Sequence, residues 1–361
     1  MEKRDDSRWA IIEHELAITR SKAATTHISM VLNEPGPLGT STDYSWHSIA
    51  TEYLDDDEKS ELVTGLRDAG FGATVYEGET AFIRAVLDGS WDGVTFSNKY
   101  VFSTTGSGTG RARTSLIPSF CDLRQIPLCS ADGLTAAILE NKFYSFRLLE
   151  AFGFSVPRTC LYVPGLGWNG PEPVPGTKVI CKPCRECSSI GVDEQSVFAF
   201  ERARVSLIER MAFAFRQPVL VQEFIAGYEV EVPIFPVPAP VSPAAIGIKI
   251  DDDMALGETI LTHRNIVDGD YSFYDFSVVD AELAENLKLT AESIYRAFGL
   301  TGLVRIYWRI TSDGRFYITD FNTPPHLTRH SSCSTAFELG GHKHADLMIG
   351  LVTVGRLGLG G

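Results

Sequence analysis

The chain has 361 residues, of which 44% are hydrophobic and 22% charged, with a formal net charge of −14. That length allows about two or three domains with a sizeable core, and the composition is that of a globular protein. The acidic balance argues against a nucleic-acid partner, because neutralising phosphates needs a basic face, and no window approaches the roughly 18 apolar residues of a membrane span. The first residues are charged and mixed, without the apolar core of a signal peptide, so a cytoplasmic location is expected. Seven cysteines, an odd number in apolar contexts, read as reduced thiols.

Residues 1–24 form a tail or a loosely docked helix in this reading. A first strand is expected at 27–32 (H-I-S-M-V-L), followed by a Gly/Pro/Ser/Thr-rich loop over 33–46. Leu62, Val63 and Leu66 mark a helix over 56–69, with acids in its first turn. A strand at 73–76, a helix at 81–87 and a third strand at 93–96 complete a β-α-β-α-β alternation, which implies an open parallel sheet with covering helices. The stretch 104–113 (T-T-G-S-G-T-G-R-A-R) is a flexible loop. It lacks both the Walker lysine and the G-x-G-x-x-G spacing of a nucleotide fingerprint. A helix at 116–123, a short strand at 126–129 and one long helix over 134–152 follow.

Residues 164–176 are a Pro/Gly-rich turn region. Residues 179–192 (V-I-C-K-P-C-R-E-C-S-S-I-G-V) predict a strand, a tight polar loop and a second strand. A lysine at the mouth of such a loop can hold phosphate as a point charge, and loop N–H groups and serine hydroxyls can close over the same anion. Cys181, Cys184 and Cys187 have a metal-like C-x2-C-x2-C spacing, but no fourth ligand lies near. Beyond this stretch an amphipathic helix is expected over 195–215 and a buried strand over 219–225. A proline-heavy insert covers 233–243, with strands at 246–250 and 258–264 and a helix at 281–298. Two strands at 302–310 and 315–320 are joined by Ser312-Asp313-Gly314, a hairpin signal. Residues 335–354 close the chain as one or two apolar helices.

Two stretches carry a family resemblance. Residues 179–192 resemble K-P-x-x-E-G-S-S-x-G, with Cys187 in place of the first loop glycine. Residues 302–331 follow, without gaps, G-x-x-R-x-D, a D-G hairpin and E-x-N-T-x-P-G-x-T-x-H-S. Both are patterns of the ATP-grasp superfamily, in its D-alanine–D-alanine ligase branch. Asn141-Lys142 stands where that branch has Asp-Lys, followed by a helix end and Val156-Pro157. The resemblance covers about residues 115–350 and fades over the first 100.

It implies an α/β protein, α+β in its ATP-binding half: an ATP-grasp fold behind an N-terminal open parallel sheet. The implied boundaries are a tail (1–24), an N-terminal α/β domain (25–130), a central ATP-grasp subdomain (131–218) and a C-terminal one (219–361), with ATP between the last two. Lys142 and Lys182 would hold the phosphates. Gln222, Glu223 and Ile225 would meet adenine, and Glu229 the ribose. Asp320 and Asn322, two apart on a strand and so on one face, would hold Mg2+, a hard cation suited to carboxylate and amide oxygens. Arg305, with Ser188 and Ser189, would form the catalytic set. Ser331, His326 and Arg111 or Arg113 would face substrate.

The implied reaction joins a small-molecule carboxylate to an amine through an acyl phosphate, in a protein that is usually a homodimer. Three departures stand out. Tyr307 replaces a metal-binding aspartate, and His326 replaces a glycine. The family's long lid is missing, together with its S-x-E motif. These point to an unusual amino acid or specialised metabolite. A true D-alanine–D-alanine ligase and a non-catalytic nucleotide-binding protein are the alternatives.

Overall fold

The computed structural model describes residues 6–33, 54–91, 93, 95–106 and 110–358. The loop expected over 33–46 lies outside the described residues beyond Asn33, as do residues 107–109 of the glycine-rich loop. Three sheets follow one another along the chain.

The first is parallel and three-stranded, in the order β2–β1–β3, from β1 (Thr26–Leu32), β2 (Gly72–Glu77) and β3 (Asn98–Ser103). Every residue of β1 is buried, as expected for the central strand of a parallel sheet covered on both faces. Helices α2 (Asp56–Asp68), α3 (Gly78–Leu87) and α4 (Leu116–Arg124) surround it. Asp55 caps α2 in a reciprocal capping box with Glu58, which fixes where that helix starts. The third strand runs over 98–103 rather than the expected 93–96, because Tyr100, Val101 and Phe102 are the residues that pack into the interior. The strand expected at 126–129 is reduced to a single bridge between Val101 and Leu128.

The N-terminal segment is a helix, α1 (Asp6–Arg20), and it is firmly docked. Trp9, Ile12 and Leu16 are buried in one core with residues of the last helix, α11 (His344–Leu357). Beginning and end of the chain therefore share the core of the first sheet.

The helix expected over 134–152 is two helices, α5 (Gly133–Glu140) and α6 (Lys142–Ala151). Asn141 breaks the run with extended backbone and caps α6 through Tyr144 N–H, as asparagine does when it competes with the helix for backbone donors. The Lys142 N–H is turned to the carbonyl of Cys184 instead.

The second sheet is antiparallel, in the order β5–β4–β8–β6–β7. Its strands are β4 (Thr159–Val163), β5 (Gly167–Asn169), β6 (Lys178–Pro183), β7 (Val197–Ala199) and β8 (Val219–Glu223), covered by α7 (Val205–Phe215). Residues 190–192, expected as a strand, are a turn, and the helix expected from 195 starts only at Val205. Phe198 and Phe200 are drawn into the sheet core first.

The third sheet has the order β12–β11–β9–β13–β14, with β10 (Pro240–Val241) attached to β9. Its strands are β9 (Tyr228–Pro236), β11 (Ile246–Lys249), β12 (Ser272–Asp275), β13 (Val304–Ile310) and β14 (Phe316–Asn322). Helix α9 (Ala281–Phe298), capped by Asp280 and ended by Gly299 in the left-handed region, packs on it. Helix α10 (Ser332–Leu339) follows β14. Between β11 and β12 the expected strand at 258–264 is absent. Thr262 makes a capping box with Asn265 and opens a short helix there, α8 (His263–Asp268). No helix among the described residues is long and apolar enough to cross a membrane.

Candidate active site

A cleft opens between the second and third sheets, and it gathers all the sequence-derived site residues except Arg111 and Arg113. From the second sheet come Lys182 at the end of β6, the loop 186–190, and Gln222 to Ile225 at the end of β8. From the third come Glu229, Arg305, Asp320 and Asn322.

The loop after β6 is held in an unusual conformation. Ser188 and Ser189 both have positive φ, 49° and 51°, which costs about 1–2 kcal/mol per residue in a non-glycine. Contacts from the β11–β12 segment offset that cost. Ser189 Oγ donates to the Leu261 carbonyl at 2.8 Å, and His263 Nδ1 lies 2.9 Å from the Ser188 carbonyl. Gly191 leaves the loop at φ 77°, where a Cβ would stand 2.7 Å from the Phe215 ring.

The two lysines approach a single carboxylate. Lys142 Nζ, on a buried side chain, lies 2.7 Å from both oxygens of Asp320. Lys182 Nζ donates to the Thr319 carbonyl at 3.3 Å. Burial lowers the Lys182 pKa below the usual lysine range; nearby Asp320 opposes the shift and Lys142 adds to it.

Alternation along the third sheet sets the rest of the wall. Glu231, Tyr307 and Asp320 are paired across β9, β13 and β14, and Arg305 is paired with Asn322. Arg305 Nη1 lies 3.1 Å from Glu231 Oε2 and 3.2 Å from Ser332 Oγ, and Nη2 donates to the Tyr307 hydroxyl. Tyr307, in the position of the family's aspartate, therefore holds an arginine. Glu229 is ion-paired to Arg309 at 3.1 Å. His326 Nε2 lies 3.1 Å from Glu58 Oε1, a link back to α2. The Ser331 hydroxyl is engaged as the N-cap of α10, donating to Thr328 O and accepting from Ser334 N–H.

At the opposite end the cleft is apolar. Ile180, Val192 and Ile260 form a small buried cluster with Phe224 packed against it. Gln222 is fully buried beside this slot. Its Nε2 donates to Thr159 Oγ1 at 3.1 Å, while its Oε1 has no hydrogen-bond partner among the described residues. A buried acceptor left open costs about 1–3 kcal/mol, which a donor on a bound ligand would recover.

Two residues lie outside this cleft. Arg113 lines the adjoining cavity, which shares Lys142, Glu186, Asn322 and His326 with the cleft; its guanidinium is buried between Glu140 at 3.0 Å and Glu186 at 3.2 Å, and donates to the Arg185 carbonyl. Burial raises the pKa of Glu140 and of Glu186, with Arg113 opposing both shifts. Arg111 is exposed and lines no part of the cleft. Cys181 and Cys184 are buried, with Cys184 Sγ 3.2 Å from Asn141 Oδ1.

The sequence reading missed Arg309, Glu231 and Glu58. Glu231 was findable: an otherwise apolar strand with acids at alternate positions, Glu229 and Glu231, must turn them to one face. Glu58 was not, since its contact with His326 joins residues far apart in the chain.

The arrangement can neutralise a polyanion with Lys142, Lys182 and Arg305. It can also offer a hard cation the oxygens of Asp320 and Asn322. Among the described residues no group of three or more His, Cys, Asp or Glu could hold a metal, so such a cation would take its remaining oxygens from ligand and water.

Residues 174–353 match the family model described as D-ala D-ala ligase C-terminus. A D-alanine–D-alanine ligase from Geotalea uraniireducens is 25% identical over 226 residues, 59% of this chain and 64% of the relative. The match thus spans less than two thirds of that relative's length. The fold is similar to the crystal structure of a D-alanine–D-alanine ligase from Bacillus anthracis complexed with ATP, with a TM-score of 0.65 at 15% identity, over 91% of this chain and 97% of that one. It is also similar to the VanG D-Ala:D-Ser ligase from Enterococcus faecalis, with a TM-score of 0.63 at 17% identity, over 92% and 99% of the two chains.

Proposed function

Because the chain belongs to the D-alanine–D-alanine ligase-like family of ATP-grasp proteins, we propose that it is an ATP-dependent, ADP-forming carboxylate–amine ligase. The observation that carries the proposal is the meeting of Lys142, Lys182, Arg305 and Asp320 in one cleft, next to an apolar slot with an open buried acceptor. Adenine fits that slot: a flat ring between Ile180, Val192, Ile260 and Phe224, its amino group donating to Gln222 Oε1. Lys142 and Lys182 bind the phosphates. Asp320 and Asn322 fit a Mg2+ ion, which would neutralise charge on the transferring phosphoryl group.

The carboxylate substrate attacks the terminal phosphorus of ATP; the bond to ADP breaks and an acyl phosphate forms. The amine then attacks the acyl carbon, loses a proton, and expels inorganic phosphate as the amide forms. Arg305, held by Glu231 and Tyr307, is oriented to stabilise the negative charge that develops in both steps.

The substrates in this proposal are small molecules, and one is an unusual amino acid or specialised metabolite rather than D-alanine. In support, among the described residues no long lid separates β12 from α9: the chain passes between them through a single turn at Phe276–Val278. The protein acts as a cytoplasmic homodimer in this reading. The test is ADP release from Mg2+–ATP over a panel of amino acids. Formation of D-alanyl-D-alanine at an ordinary enzymatic rate, about 1–1,000 s⁻¹, would favour a true D-alanine–D-alanine ligase. Nucleotide binding without ADP release would favour a non-catalytic protein.

A further inference from the structure

One wall of the cleft has an unexpected composition. Tyr271, at the end of the segment between β11 and β12, packs edge-on against His330 with ring centroids 4.7 Å apart. Phe273 on β12 joins both rings, 5.4 Å from Tyr271 and 5.4 Å from His330. All three line the cleft, Tyr271 and Phe273 are only partly buried, and His330 is exposed. They sit where His330 leads into Ser331, the N-cap of α10.

We propose that Tyr271, Phe273 and His330 form a side-chain subsite that selects an amino acid with an aromatic or similarly broad apolar side chain as a substrate. The inference rests on the ligase reading for the substrate's role, but the subsite makes its own binding claim.

Three clustered rings left open to a cavity are apolar surface that a ligand ring can cover, and offset or edge-on packing adds to the gain from burial. A small side chain such as that of alanine would leave these rings wet. Although His330 is exposed overall, partial desolvation of its ring, and then His326, lower its pKa below the usual 6.5, so near neutral pH the ring offers a flat, uncharged face rather than a cation. The segment that brings in Tyr271 also pins Ser188 and Ser189 through His263 and Leu261. Residues 250–271 thus cover the phosphate loop and supply one wall of the substrate end.

The test is calorimetric binding of phenylalanine, tryptophan and alanine, in both stereochemical forms, to the full chain saturated with Mg2+ and a non-hydrolysable ATP analogue. At least one aromatic amino acid should bind about tenfold or more tighter than alanine. Tyr271→Leu and His330→Ala should each remove most of that preference while leaving affinity for the ATP analogue unchanged. His330→Ala changes an exposed side chain, so it keeps the test open if Tyr271→Leu folds poorly. Equal binding of alanine and the aromatic amino acids, or no binding of any, would overturn the subsite. So would variants that lower only thermal stability, which would make the cluster an edge cap for β12. Aromatic binding without ADP release would leave the subsite standing and remove the ligase reading.

Discussion

Lys142 Nζ lies 2.7 Å from each carboxylate oxygen of Asp320. The pair ties α6 to β14 across the cleft, so the lysine proposed for phosphate rests on the carboxylate proposed for Mg2+. Loading the site with nucleotide and metal must separate them. Asp320→Asn should therefore act in two directions. Mg2+-dependent ADP release should fall about 100-fold or more, the scale of losing one electrostatic group at a reacting centre. Metal-free ATP should bind at least as tightly as to the parent, because Lys142 is released. Calorimetry with and without chelator checks both; unchanged turnover would remove Asp320 from the metal site.

Gln222 Oε1 is the buried acceptor without a partner. ATP should bind more tightly than inosine triphosphate, whose exocyclic 6-oxo group accepts and offers no donor at that position. Gln222→Leu should weaken ATP about 3- to 10-fold, a single hydrogen bond's worth, and erase the discrimination. A base preference that survives the substitution would move the adenine site elsewhere.

Lys182 is a cation held below its usual range of 10.5 by burial. Phosphate is attracted only to its protonated form. ATP affinity should be highest at lower pH and fall as pH rises through the Lys182 pKa, with that limb below 10.5. Lys182→Arg should move the limb upward, since guanidinium stays protonated; Lys182→Ala should weaken binding below the limb and flatten the profile, with parent and variant converging above it. An affinity flat across the alkaline range in the parent would show that Lys182 does not touch the nucleotide.

Much of this was legible in the sequence because it depends on neighbours in the chain. The i, i+2 spacing of Asp320 and Asn322 and the gapless run over 302–331 needed only local order. The breaks were harder to read. Asn141 divides an apolar helical run by capping, and Thr262 starts a helix inside a stretch with strand-like composition. Arg111 or Arg113 is expected to face substrate because their loop stands where the family has a loop bordering the substrate cleft, with a solvated side chain as the alternative. The burial of Arg113 between Glu140 and Glu186 depends on α5 and the loop after β6 folding over it.

That triad yields a stability prediction. Arg113→Met strands two buried carboxylates and should cost about 3–5 kcal/mol. Burial raises the pKa of both glutamates and Arg113 opposes each shift, so without Arg113 their charged forms become costlier in the fold. The variant's deficit should be largest at neutral pH and shrink as pH falls through those raised values. Chemical denaturation of parent and variant at several pH values measures it. A deficit that grows toward acid would contradict the assignment.

The central claim is that this cleft couples ATP cleavage to amide formation. Its most direct measurement is ADP release by the purified full chain, with the product weighed by mass spectrometry, over pairs of carboxylate and amine substrates that include aromatic amino acids. The prediction is one ADP per amide, with a product mass equal to the two substrates less one water, and loss of both signals in Asp320→Asn. ATP bound with high affinity but no ADP released with any pair would contradict it.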